Sequence, residues 1–141
     1  MPTRLSLAAS ILCLVPIAAT AQAPDWPASI VCSLGDATIC TPSGCHVADL
    51  DTLDVPQLIR LDLEHGVMNA VTPQHSGRRS HFEIIESGES TLVLQGYENG
   101  RAFSAVLNEP GTLAISASTE STNFSVFARC TDLKLVTDVG N

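Results

Sequence analysis

From residue 29 onward, apolar and polar residues alternate with period two through most of the chain. Over residues 58–64, Ile59, Leu61 and Leu63 fall on one side, and Arg60, Asp62 and Glu64 on the other. The same alternation aligns Phe82 with Ile84, Leu92 with Leu94, and Phe103 with Ala105 and Leu107. It also aligns Phe124, Val126, Ala128 and Cys130, so Cys130 points with the core residues. Such patterning predicts half-buried strands, in which successive side chains face opposite ways. Strands are expected over 30–34, 37–40, 45–48, 58–64, 67–71, 81–86, 91–97, 102–107, 113–117 and 123–130.

Turn chemistry separates these runs. Gly35-Asp36 is expected to end the first strand, and Pro42-Ser43-Gly44 to cap a hairpin between the second and third. His65-Gly66, Ser87-Gly88-Glu89, Glu98-Asn99-Gly100 and Asn108-Glu109-Pro110-Gly111 mark further turns. Asn-Gly is the strongest of these, because both residues tolerate the positive φ of a tight hairpin. Residues 72–79 read as a loop. Connections this short imply antiparallel pairing between sequence neighbours. The predicted fold is all-β: one antiparallel domain of about 8–10 short strands, a small meander barrel or a sandwich. A helix over 54–65 is the competing reading for one segment, with Asp54-Val55-Pro56 as its start and Gly66 as its stop. The period-two pattern favours a strand there.

The N-terminal segment breaks the pattern. Arg4 is followed by an uncharged, mostly apolar run over residues 5–19 and then Ala19-Thr20-Ala21. A basic start, an apolar centre and small residues at an A-x-A site predict a cleaved secretory signal peptide, residues 1–21. An uncleaved anchor, or a lipid-modified Cys13, are the weaker alternatives. The run is short for a membrane span and contains Pro16, and Ser10-Ile11-Leu12 lacks the small residues expected before a lipidated cysteine. The expected organisation is therefore signal peptide 1–21, irregular lead-in 22–28, β domain 29–130 and a loosely held tail 131–141. For a bacterium, and a Gram-negative one in particular, this places the domain in the periplasm or outside the cell.

Cleavage changes both charge and cysteine count. The full chain has 7 Lys and Arg against 15 Asp and Glu; losing Arg4 leaves 6 against 15, a net charge of −9. Nucleic acid is a poor partner for such a chain. No second apolar run suggests a membrane span after cleavage. Of the five cysteines, Cys13 leaves with the signal, and Cys32, Cys40, Cys45 and Cys130 remain. An even count in a small exported domain predicts two disulfides. Cys40–Cys45 across a tight turn, with Cys32–Cys130 joining the ends of the domain, is the preferred pairing. Cys32–Cys40 with Cys45–Cys130 is the runner-up.

Catalytic and metal motifs do not emerge. His46, His65, His75 and His81 lie near cysteines whose spacing fits neither zinc nor c-type haem. Asp49, Asp51 and Asp54 resemble the start of a calcium loop, but Asp54 and Arg60 occupy the positions that need Gly and Glu. Gly88-Glu89-Ser90-Thr91-Leu92 fails the nucleophile-elbow pattern at its last residue. The expectation is a non-enzymatic domain without a cofactor, whose partner is a protein or a small ligand. One loop stands out: Gln74-His75-Ser76-Gly77-Arg78-Arg79-Ser80-His81 is basic within an acidic protein. His75, Ser76, Gly77, Arg78, Arg79 and His81 are therefore candidate partner-binding residues.

Cys32, Cys40, Cys45, the Pro110-Gly111 turn before Leu113-Ala114-Ile115-Ser116, and the closing Phe124-Ser125-Val126-Phe127-Ala128-Arg129-Cys130 resemble a family of small exported proteobacterial four-cysteine proteins. That resemblance implies a β-barrel or sandwich and no particular activity. Ser76-Gly77-Arg78 gives a fainter resemblance to periplasmic inhibitors of C-type lysozyme, which enter the lysozyme cleft through a Ser-Gly loop. This second resemblance implies a hydrolase inhibitor acting through residues 74–81.

Overall fold

A computed structural model describes residues 26–98, 100–109 and 111–132. The expected signal peptide, Cys13 and the tail beyond residue 132 lie outside the described residues. Nine strands follow one another: β1 (Ser29–Thr41), β2 (Gly44–Ala48), β3 (Leu58–Asp62), β4 (Val67–Ala70), β5 (Arg79–Ser87), β6 (Thr91–Glu98), β7 (Arg101–Asn108), β8 (Thr112–Ser118) and β9 (Asn123–Asp132). All pairings are antiparallel, in the order β2-β1-β3-β4-β5-β6-β7-β8-β9, and β9 pairs back onto β1. The sheet is thus a closed barrel of eight strands, with β2 as an extra strand on β1. Closure removes the free edges that an open meander would expose. Of the two architectures compatible with the pattern, the barrel is the one formed, and residues 58–62 are strand and not helix.

β1 carries the architecture. Its first part pairs with β3 (Ser29↔Asp62 to Ser33↔Leu58), and its last part with β2 (Ala37↔Ala48 to Thr41↔Gly44). Its other side runs along β9 for almost its full length. Gly35-Asp36 does not end the strand, as its turn chemistry suggested. It forms a bulge, seen as the register shift between Leu34 and Ala37. One extra residue reverses the alternation, so Ile30, Cys32 and Leu34 below the bulge and Ala37 above it all turn towards the core. β9 reaches Asp132, two residues beyond its expected end, because Asp132 pairs with Ile30.

Both disulfides follow the preferred pairing. Cys32 and Cys130 are directly opposed across the β1–β9 seam, with Cα atoms 3.9 Å apart. That bond staples the first strand of the barrel to the last. Cys40–Cys45 joins β1 to β2 beside the Pro42-Ser43 turn.

The inward positions of the strands form one core. Leu61, Leu92, Leu94, Leu107, Leu113, Val126 and Cys32 are its largest fully buried members. Gly96 falls on an inward position of β6 and is required there by close approach. A Cβ at this position would lie 2.3 Å from the Phe103 ring and 2.4 Å from the His81 carbonyl oxygen. The missing side chain lets the Phe103 ring lie across β6 (Gly96↔Phe103).

The two ends of the barrel differ. At one end, Trp26 packs against the core and its indole N–H donates to the Gly88 carbonyl at 3.5 Å. The other end carries the β1–β2 hairpin, the loop 49–57 and the loop 71–78. Leu50 and Val55 of the first loop are buried in the core cluster, so that loop folds over the barrel opening.

Candidate functional site

The candidate site is the end of the barrel beneath the 49–57 loop. Its side chains arise from strand parity. Ser80 precedes Phe82 on the inward face of β5, Glu98 follows Leu94 and Gly96 on β6, and Arg101 precedes Phe103 and Ala105 on β7. Each is a polar residue in phase with the core at the strand end that meets this opening. Together they rim a cavity of about 80 Å³. Its wall is apolar, with Ile59, Met68, Phe103, Ile115, Phe124 and Val126 among the lining residues, and Val55 and Pro56 of the covering loop contribute too. A broader depression, about 340 Å³, lies at the Trp26 end between Leu63, Ile84 and Leu92. It is more open to solvent and has no arginine in its lining, so the cavity with the charged rim is the stronger candidate.

A polar latch holds the loop over the cavity. Asp51–Leu53 forms a short 3-10 turn that ends at Asp54 in the left-handed conformation (φ 52°, ψ 41°). Aspartate tolerates this region better than most residues. The turn presents both the carbonyl and the carboxylate of Asp54 to the 72–78 loop. The Arg78 guanidinium donates to the Asp54 carbonyl, and its Nη1 lies 4.0 Å from the Asp54 carboxylate. His75 Nε2 lies 3.0 Å from Asp54 Oδ1, and His75 Nδ1 lies 3.2 Å from the Thr72 hydroxyl. Arg78 Nε also lies 3.6 Å from Glu98 Oε1, and the buried Ser80 hydroxyl donates to Glu98 Oε2. Glu98 and Arg78 are the half-buried centre of this chain of contacts, with side chains 20% and 28% exposed. Asp54 is 89% exposed, so its ion pairs are screened and contribute at most about 1 kcal/mol each.

The candidate loop residues separate into two groups. His75 and Arg78 turn inward onto Asp54 and Glu98. Ser76 and Gly77 remain exposed at the tip. Arg79 donates from Nε to the Asn69 side-chain oxygen at 3.1 Å, and His81 is exposed on β5. No group of three or more His, Cys, Asp or Glu side chains placed to hold a metal ion occurs among the described residues. Sequence reading did not single out Glu98 and Arg101. The available signal was their phase: both continue the inward alternation of β6 and β7.

Neither a family model nor a curated protein matches this chain, and no solved structure matches its fold. The site therefore rests on its own chemistry. No helix among the described residues is long and apolar enough to cross a membrane.

Away from the cavity, the β3–β4 turn holds a titrating pair. The Asp62 carboxylate accepts hydrogen bonds from the His65 backbone N–H and Nδ1, each at 3.0 Å. This hydrogen bond raises the His65 pKa above its ordinary value of 6.5, and the charges of Asp62 and Glu64 add to the shift. The same contacts with His65 lower Asp62 from its ordinary 3.8. A raised histidine stabilises the fold fully below its unfolded pKa and loses that contribution as pH rises through the folded value. A lowered carboxylate contributes above its unfolded pKa and loses that contribution as pH falls through the folded value. The pair therefore acts fully between about pH 4 and 6.5. NMR titration should place His65 above 6.5, and Asp62→Asn should return it towards that value. An unchanged His65 in that variant contradicts the assignment.

Proposed function

We propose that this protein is a non-enzymatic, small-ligand-binding barrel that works outside the cytoplasm, in the periplasm or after secretion. The observation that carries this reading is the cavity under the latched loop. It combines an apolar wall with a few convergent polar groups, the usual make-up of a small-molecule site. Its volume is well below the roughly 300–1,000 Å³ of pockets for drug-sized ligands. The ligand is therefore small, or enters by one end only. Two disulfides suit an oxidising compartment, and the A-x-A signal pattern supports export. His75 and Arg78 are occupied by the latch, which weighs against using the 74–81 loop as an inserting inhibitor.

Thermal unfolding with short straight-chain alcohols and acids tests the reading. A ligand at ten times its Kd stabilises the native state by about 1.4 kcal/mol. Ala117 is buried, lines the cavity and faces Phe103 and Phe124 across β7 and β9. Ala117→Leu should occupy the cavity and abolish the ligand-induced shift while leaving a cooperative transition. Absence of a shift with every ligand in the wild-type protein contradicts the proposal.

A further inference from the structure

We infer that the ligand of this cavity is an anion with a short apolar body, its head group seated on Arg101; the inference rests on the small-ligand reading above. Five arginines occur among the described residues, at positions 60, 78, 79, 101 and 129. Two of them, Arg78 and Arg101, line this one cavity in a strongly acidic protein. Their situations differ. Arg78 is engaged by Asp54 and Glu98. Arg101 has no carboxylate within 4.0 Å among the described residues, although Glu98 is its direct cross-strand partner. Glu98 turns instead towards Arg78, 3.6 Å from its Oε1, and accepts from the Ser80 hydroxyl at Oε2. Arg101 is thus a partly buried residue in the lining of an apolar cavity, and its side chain makes no hydrogen bond or ion pair among the described residues.

Ligand charge follows from what binding does to Arg101. A neutral apolar molecule filling the cavity strips water from the guanidinium and returns nothing, and burying an unpaired charge is unfavourable. A cation would meet two arginines against the one carboxylate of the lining, Glu98, which already faces Arg78. A carboxylate or phosphate offers oxygens that match the guanidinium fork and forms charge-assisted hydrogen bonds. Its short tail then reaches the apolar wall formed by Ile115, Phe103 and Val126. Glu98 is held by Ser80 and Arg78, and its carboxylate lies more than 4.0 Å from the Arg101 guanidinium.

The test compares octanoate, octyl phosphate and octanol by calorimetric titration on the wild-type protein and on Arg101→Gln. The tails are identical, so head-group charge is the variable. Both anions should bind the wild-type protein about tenfold more tightly than octanol, and Arg101→Gln should remove that preference. Octanol should bind Arg101→Gln at least as tightly as the wild-type protein, because the charge it would desolvate is gone, and that binding also shows that the cavity remains formed. A preference for one anion over the other identifies the head group. Equal binding of octanoate and octanol, or an anion preference that survives in Arg101→Gln, overturns the inference and leaves the small-ligand reading standing. No binding by any of the three overturns both.

Discussion

Replacing Cys32 and Cys130 together by alanine is expected to destabilise the domain by about 4–5 kcal/mol. The bond links residues 98 apart in sequence, so cutting it releases almost the whole folded region in the unfolded state. For a domain of this size the loss lowers the unfolding temperature by roughly 20 °C or more. Cys40–Cys45 spans a sequence separation of only 5 and closes a hairpin already held by its strand pairing. In the same chain-entropy treatment its removal costs about 2 kcal/mol. Urea denaturation of the two double variants checks the order. The Cys32/Cys130 variant should also show a larger m value, because its unfolded chain is freer to expand. Equal losses from the two variants would mean that the seam bond does not control closure of the barrel.

The second large effect is expected in the core. Leu113 is fully buried and lies between Leu107 of β7 and Ala128 of β9, two residues along β9 from the disulfide at Cys130. Leu113→Ala removes apolar contact and leaves a cavity that a closed barrel collapses poorly, at a cost of about 2–5 kcal/mol. Val47 is also apolar but 68% exposed, on the extra strand β2. Val47→Ala should change stability by no more than about 0.5 kcal/mol. Denaturant midpoints of the two variants measure the contrast. Similar effects from both would show that burial in the barrel does not set the energy scale.

Much of this fold was legible from the sequence because its physics is local. Period-two alternation marks strands from β3 to β9, and short turns force neighbours to pair. Cys130 in phase with Val126 and Ala128 pointed to a buried bridge, and the bridge lies there. Gly35-Asp36 was misread because glycine and aspartate favour a turn and a bulge alike. Only the position of β9, nearly one hundred residues away, decides between them. The cavity was less legible for a related reason. Glu98, Ser80 and Arg101 sit on three successive strands, and only the register of the β5–β6 and β6–β7 pairings brings them together. The basic loop was conspicuous in composition, yet two of its charged or titrating side chains serve the latch. Asp54, which read as a helix start or a calcium ligand, is the residue they grip.

Small ligands are expected to enter the barrel under the latched loop and to contact the wall there. Methyl NMR of the wild-type protein titrated with octanoate tests this most directly. Methyl shifts should be saturable and confined to Ile59, Met68, Ile115 and Val126, while Leu92, Leu107 and Leu113 towards the Trp26 end stay unchanged. Shifts centred on Leu63, Ile84 and Leu92, or none within the barrel, would contradict it.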